Sequence, residues 1–213
     1  MVEIVYSCAD FAVAVKPYGV LSEYDENRRN MVSELAETLG VAAESVFPVH
    51  RLDATTEGLT VYALTKDAAA ALSKAVTEGR LHKKYIAFIT ADDGLAESGE
   101  MNDFLFFDRR AQKSFVVDRA KKGAKEARLS YSLGERRDYN GTTVTKAEIE
   151  LMTGRTHQIR AQFGARRSAI IGDGKYGSRV NYKGAALYSA CLSFPFGGEE
   201  YAYSIAGRIA FHE

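Results

Sequence analysis

The sequence is short of the features that mark several large classes of protein. It has no tryptophan, and only three prolines and two cysteines in 213 residues. So little proline, with 18 glycines, excludes a collagen-like or proline-rich chain. Cys8 and Cys191 lie far apart and form neither a metal-ligand spacing nor a disulfide framework. The four histidines, His50, His82, His157 and His212, are too scattered for an HExxH-type zinc site, and no metal is expected. No apolar run approaches the roughly 18 to 20 residues of a membrane helix, so no membrane partner is expected. The opening segment, MVEIVYSCADFAVAVKP, carries Glu3 and Asp10 and no basic lead-in, which does not suit a secretory signal. With two unpaired thiols, this leads us to expect a reducing, cytoplasmic setting. There is no Gly-x-Ser-x-Gly elbow. The glycine-rich GDGKYG, Gly172 to Gly177, lacks P-loop spacing and reads as a turn.

What is present is ordinary globular material, 46% hydrophobic and 26% charged, of a length that suits one domain. The net charge is zero, but it is unevenly spread. Residues 1–49 hold eight acids against three bases. Arg109 to Arg137 hold ten bases against Asp118, Glu126 and Glu135. Arg155 to Lys183 hold seven bases against Asp173 alone. A local patch matters more than a sum, and two cationic segments point to a polyanionic partner.

The order of elements is irregular. Strands are expected at Glu3–Ser7, Phe11–Lys16, Gly58–Thr65, Lys84–Thr90, 114–118, 127–133 and 142–152. Two more are expected in the tail, at Leu187–Phe194 and Tyr201–Ile209. Helices are expected at Arg29–Leu39, Lys66–Glu78 and Thr156 to about Gly164, from apolar spacing and glycine stops. Residues 92–114 read as polar and irregular. Strand and helix do not alternate regularly, so the expected class is α+β: a mixed, mostly antiparallel central sheet with peripheral helices and loops.

Two blocks carry possible chemistry. HRLDATTEGL, His50 to Leu59, has an arginine, an aspartate and two threonines ahead of a strand. By composition alone it is a polar loop in which Asp53 caps a turn. LMTGRTHQIRAQF, Leu151 to Phe163, ends a strand at a glycine and opens a short helix with His157 and Arg160 on neighbouring faces. Together with AVAVKPYGVLS (Ala12–Ser22), KKYIAFI (Lys83–Ile89) and IIGDGKYG (Ile170–Gly177), in this order, they closely resemble the RNA pseudouridine synthases. The specific likeness is to the branch that modifies large-subunit ribosomal RNA and transfer RNA.

The resemblance implies an isomerase that converts uridine to pseudouridine in structured RNA, with no cofactor, no metal and no obligate protein partner. It implies Asp53 as the catalytic carboxylate, Tyr85 as the active-site tyrosine and Arg160 as the cation beside the aspartate. Arg51 is implied to hold the RNA and fill the space left by the extruded base. His50, Arg155, His157, Lys83 and Lys84 join it as expected substrate contacts. Because Lys16-Pro17 lies so near the start, one catalytic domain is expected over residues 1–213, without the N-terminal RNA-binding module of some relatives. Two positions depart from the family pattern: Glu57 stands where a serine is usual, and Tyr188 where a histidine is usual. A non-catalytic RNA-binding protein on the same scaffold is the alternative; the joint presence of Asp53, Tyr85 and Arg160 argues against it.

Overall fold

The computed structural model describes residues 2–90, 94–119 and 121–211. His212 lies outside them, as do two residues of the 92–114 segment. The elements run β1 (Glu3–Ser7), β2 (Phe11–Lys16), α1 (Met31–Leu39), β3 (Phe47–Pro48), β4 (Glu57–Ala63), α2 (Lys66–Thr77) and β5 (His82–Thr90). They continue with β6 (Ser98–Asp108), β7 (Lys113–Val117), β8 (Lys125–Tyr139), β9 (Thr142–Leu151), α3 (Gln158–Ala165), β10 (Leu187–Phe196) and β11 (Glu199–Ser204). The chain divides into two compact units, residues 1–83 with 188–209, and residues 84–187 with 210–213.

In the first unit β2 lies between β1 and β4, antiparallel to both. β10 joins β4 in parallel, and β11 returns antiparallel along β10. β2 is FAVAVK and nearly wholly buried, because both of its faces are covered. Phe11 and Val13 pack with Leu59, Val61, Leu72 of α2 and Phe194. Ala14 on the other face packs with Tyr62 and with Met31 and Leu35 of α1. Both helices start on side-chain caps: Asn30 accepts from the Ser33 N–H, and Thr65 accepts from the Ala68 N–H. Asn30 as cap explains why α1 begins two residues later than its apolar spacing alone implies.

The second unit is built on an antiparallel sheet whose order is not that of the chain. β5 pairs with β9, β9 with β8, β8 with β6, and β6 with β7. β8 and β9 turn at Asn140-Gly141, both at positive φ (50° and 75°), the geometry a tight hairpin favours. α3 covers one face, where Leu105 and Ala127 meet Ala161 and Tyr176. The mixed, mostly antiparallel α+β architecture is therefore as the sequence led us to expect. Three details differ. Ser98–Asp108, within the segment read as irregular, is the eleven-residue strand β6. It was hidden because Glu100 and Asn102 are exposed while only Met101 and Leu105 are deeply buried. The last strand stops at Ser204, where a single 3-10 turn, Ala206–Arg208, follows. α3 starts at Gln158, because His157 is held at φ 53° in the left-handed region and cannot be helical.

Candidate active site

In the first unit the HRLD block forms the loop between β3 and β4, and its main chain is clamped on both sides of Asp53. Before it, the Ser22 hydroxyl accepts from the Leu52 N–H (3.0 Å) and donates to the Leu52 carbonyl (3.1 Å). After it, the Ala54 carbonyl accepts from the Gly19 N–H (2.8 Å) and from the Lys16 ammonium (3.3 Å). The Thr56 N–H closes a turn on the Asp53 carbonyl at 3.0 Å. Asp53 itself is half-buried.

Lys16 is fully buried at the end of β2. Its ammonium also donates to the carbonyls of Pro17 (2.9 Å) and Val20 (2.8 Å). Three hydrogens thus meet three carbonyls. Burial pulls its pKa down to about 8, and the carboxylates of Glu57 and Asp53 act the other way. The carboxylate of Glu57, one of the departures from the family pattern, is therefore matched by a buried cation. The two departures are also neighbours, since Glu57 and Tyr188 are register partners where β4 meets β10. The next pair, Gly58 and Ser189, explains the glycine: Gly58 has φ 116°, and a Cβ there would sit 2.3 Å from the Ser189 carbonyl oxygen.

His50 accepts from the Val61 N–H through Nε2 at 3.2 Å. Burial, then the charge of Lys83, holds its pKa well below the usual value, so the ring is neutral with the proton on Nδ1. That Nδ1 and the Thr55 hydroxyl are buried without a hydrogen-bond partner among the described residues. Lys83, half-buried at the start of β5, has its own pKa lowered to about 8 by burial. Arg51 is exposed and pairs with Glu23 at 2.8 Å. Such surface pairs contribute about 0 to 1 kcal/mol, which leaves the guanidinium available to an anion.

The second unit carries the other candidates. Tyr85 is buried on β5, opposite Ile149 of β9. Lys84 next to it is exposed and pairs loosely with Glu150 at 3.8 Å. Arg155 lies exposed before α3, its Nε donating to the Glu126 carbonyl at 2.7 Å. Arg160 is buried in α3. Its Nε and Nη2 donate to the two oxygens of Asp173 at 2.7 and 2.9 Å, and its guanidinium lies 4.9 Å from the ring centre of Tyr176. The Tyr176 hydroxyl accepts from the Ser114 N–H (2.8 Å) and meets His157 Nδ1 at 2.9 Å.

The structure thus groups His50, Arg51, Asp53 and Lys83 in one unit, and Lys84, Tyr85, Arg155, His157 and Arg160 in the other. Lys16, Asp173 and Tyr176 organise these groups and were given no role from sequence. The signals were there. Lys16 is the one charge in a strand otherwise apolar, and Asp173 is the sole acid among seven bases. No group of three or more metal-ligating side chains is found among the described residues.

The family described as RNA pseudouridylate synthase matches residues 10–165, nearly three-quarters of the chain. A chain with this sheet-and-helix scaffold and an aspartate pinned in its HRLD loop is an RNA-modifying isomerase, and it belongs to the RNA pseudouridylate synthase family. It is similar to an uncharacterized RNA pseudouridine synthase of Haemophilus influenzae, 27% identical over 84% of this chain and 75% of that one. It is also similar to the tRNA pseudouridine synthase C of Vibrio parahaemolyticus, 29% identical over 85% of this chain and 76% of that one. The ribosomal large subunit pseudouridine synthase D of Borreliella burgdorferi is 29% identical over 83% of this chain and 55% of that one. The fold matches the solved human RNA pseudouridylate synthase domain containing 1, with TM-score 0.81 and 23% identity, over 96% of this chain and 82% of that one.

Proposed function

We propose that this isomerase acts on specific uridines of structured ribosomal or transfer RNA in the cytoplasm, as one catalytic domain that needs no obligate protein partner. The relatives' names and the two basic segments support that choice of substrate. Asp53 is the catalytic carboxylate. The observation that carries this role is the double clamp of its main chain, at Leu52 and at Ala54, which fixes where the carboxylate starts from. Preorganisation of this kind is what an acid that must meet one carbon of a bulky nucleoside requires.

Isomerisation breaks the N1–C1′ bond, turns the uracil and joins C1′ to C5, with the C5 hydrogen lost to solvent as a proton and a proton taken up at N1. No atom is gained, so one carboxylate, regenerated at the end, is sufficient. Attack at C1′, addition to the ring and proton removal from C2′ all need Asp53 ionised. Arg160 is the cation of the site, and its bidentate pair with Asp173 holds the guanidinium in one orientation. The target base has to leave its stack, at a cost of a few kcal/mol and less from a loop. Tyr85 supplies a ring and a hydroxyl for it. Arg51, His50, Lys83, Lys84, Arg155 and His157 hold the surrounding RNA.

The test is RNA labelled with tritium at C5 of uridine. Isomerisation releases tritium to water while the RNA stays whole. Hydrolysis instead frees labelled uracil, and mere binding does neither. RNA that is bound but never gives up tritium would leave the chain a binding protein on the same scaffold.

A further inference from the structure

Three phenylalanines stand on the face of β6 and β7 turned away from α3. Phe106 is the register partner of Phe115, and Phe104 is the partner of Val117. Partners in an antiparallel ladder share a face, as do alternate residues along a strand. The opposite face, with Leu105 and Ala127, is the one that α3 covers. Each ring has a cation over it. Arg119 lies 5.7 Å from the centre of Phe104 and Lys121 lies 4.1 Å from Phe106, while Lys113 lies 5.4 Å from Phe115 but 4.9 Å from Tyr176 and donates to the Lys175 carbonyl. The first two come from the segment after β7, which turns back through hydrogen bonds from the Lys121 N–H to Asp118 and from the Ala124 N–H to Lys121. Phe115 remains 41% exposed.

β7 ends at Val117 while β6 continues to Ser98, so beyond Phe104 this edge of β6 pairs with no strand among the described residues. The gap is a groove of about 470 Å³ whose lining includes Asn102, Asp103, Phe104, Val117, Asp118 and Arg119. Long cationic side chains can cover rings merely to shield them. Two such pairs on one sheet face with the exposed ring of Phe115, beside an open groove and in a segment with ten bases and three acids, do more than shield. Flat rings with interleaved cations are how single-stranded nucleic acid is held: bases stack on rings or guanidinium planes, and phosphates meet the charges. Glu126, the β8 partner of Phe104, Asp118 and Asp103 are the nearby acids, and Asp103 is paired with Arg166 at 2.9 Å.

We infer that this face docks unpaired nucleotides of the substrate RNA, with bases on Phe115 and on the Arg119 guanidinium and a phosphate at Lys121. The inference rests on the reading of the chain as an RNA isomerase. The nucleotides held here are not the target uridine. Tyr85 faces the other way, through the pairs Tyr85–Ile149, Ile149–Tyr131 and Tyr131–Gly99 on the α3 face.

The experiment measures binding of fluorescent oligouridylate over a range of salt, with tritium release from structured RNA followed in parallel. Phe115→Leu should weaken binding about five-fold to a hundred-fold, and Phe115→Tyr should restore it, which separates stacking from folding. Lys121→Ala should lower the slope of log affinity against log salt by about 0.7, the value of one phosphate contact. Thermal melting shows that each variant is folded. Failure of the wild type to bind oligouridylate, or unchanged affinity and slope in these variants, overturns the docking surface. So does unchanged RNA affinity with lost binding of a polyglutamate peptide. Tritium release with unaltered oligouridylate binding would sink this surface and leave the isomerase standing. Variant-sensitive binding with no tritium release by the wild type would do the reverse.

Discussion

Replacing Lys16 by methionine separates positioning from stability. The ammonium is fully buried and meets three carbonyls, so its removal acts in two opposed ways. A pKa lowered to about 8 means that the charged form costs about 3 kcal/mol more in the fold than in water, and methionine removes that cost. Against this, the Pro17 and Val20 carbonyls lose their donor, at about 1 to 3 kcal/mol each. The Ala54 carbonyl keeps the Gly19 N–H. The net change should stay within about 3 kcal/mol, or a melting shift of no more than about 10 °C for a chain of this length. Activity should suffer more. One of the two clamps after Asp53 is gone, and two carboxylates, Asp53 and Glu57, lose the cation that balanced them. A displacement of about 1 Å at a catalytic group can cost about a hundred-fold in rate. Tritium release by Lys16→Met should therefore fall about a hundred-fold while RNA still binds; turnover within about three-fold of wild type would refute the argument.

The same residue gives a pH test. A neutral amine has two hydrogens for three carbonyls, so the wild-type rate should fall as pH rises through about 8. Stability moves the other way. The folded pKa lies below the unfolded value, so the unfolded chain binds the extra proton between about pH 8 and 10.5. The penalty for holding a charged Lys16 is fully present below about pH 8 and is relieved across that window. Lys83 titrates in the same range, so the profile of Lys83→Met is the control.

Asp53→Asn should abolish tritium release and leave RNA affinity within a few-fold of wild type; measurable turnover would remove Asp53 from the chemistry. Asp173→Ala leaves the Arg160 guanidinium buried without its bidentate partner, and should cost about 3 to 5 kcal/mol in denaturant unfolding, since breaking a buried pair costs far more than an exposed one. Gly58→Ala places a Cβ 2.3 Å from the Ser189 carbonyl at φ 116°, and should destabilise by about 3 kcal/mol or more by unfolding at equilibrium.

Local pattern was enough for much of the fold. Alternation along β2, the Asn30 and Thr65 caps and the apolar spacing of α1 and α2 are short-range properties, and they placed these elements to within a few residues. Two long motif blocks were enough for the chemistry, because an aspartate in an HRLD loop and an arginine in GRTHQIR are unusual enough in sequence to point to one family. Short-range pattern failed at β6, where one face is open to solvent and its residues dilute the signal. It also failed at His157, where contact with Tyr176, 19 residues away, goes with a backbone no helix can use.

Tertiary structure alone decided the partners. That Lys16 would bind a carbonyl 38 residues away, that Asp173 would hold Arg160, and that Glu57 would sit opposite Tyr188 are consequences of register and strand order. The chain names the ionisable groups, but burial and distance set their charge, and both are fixed only once strands remote in sequence lie side by side.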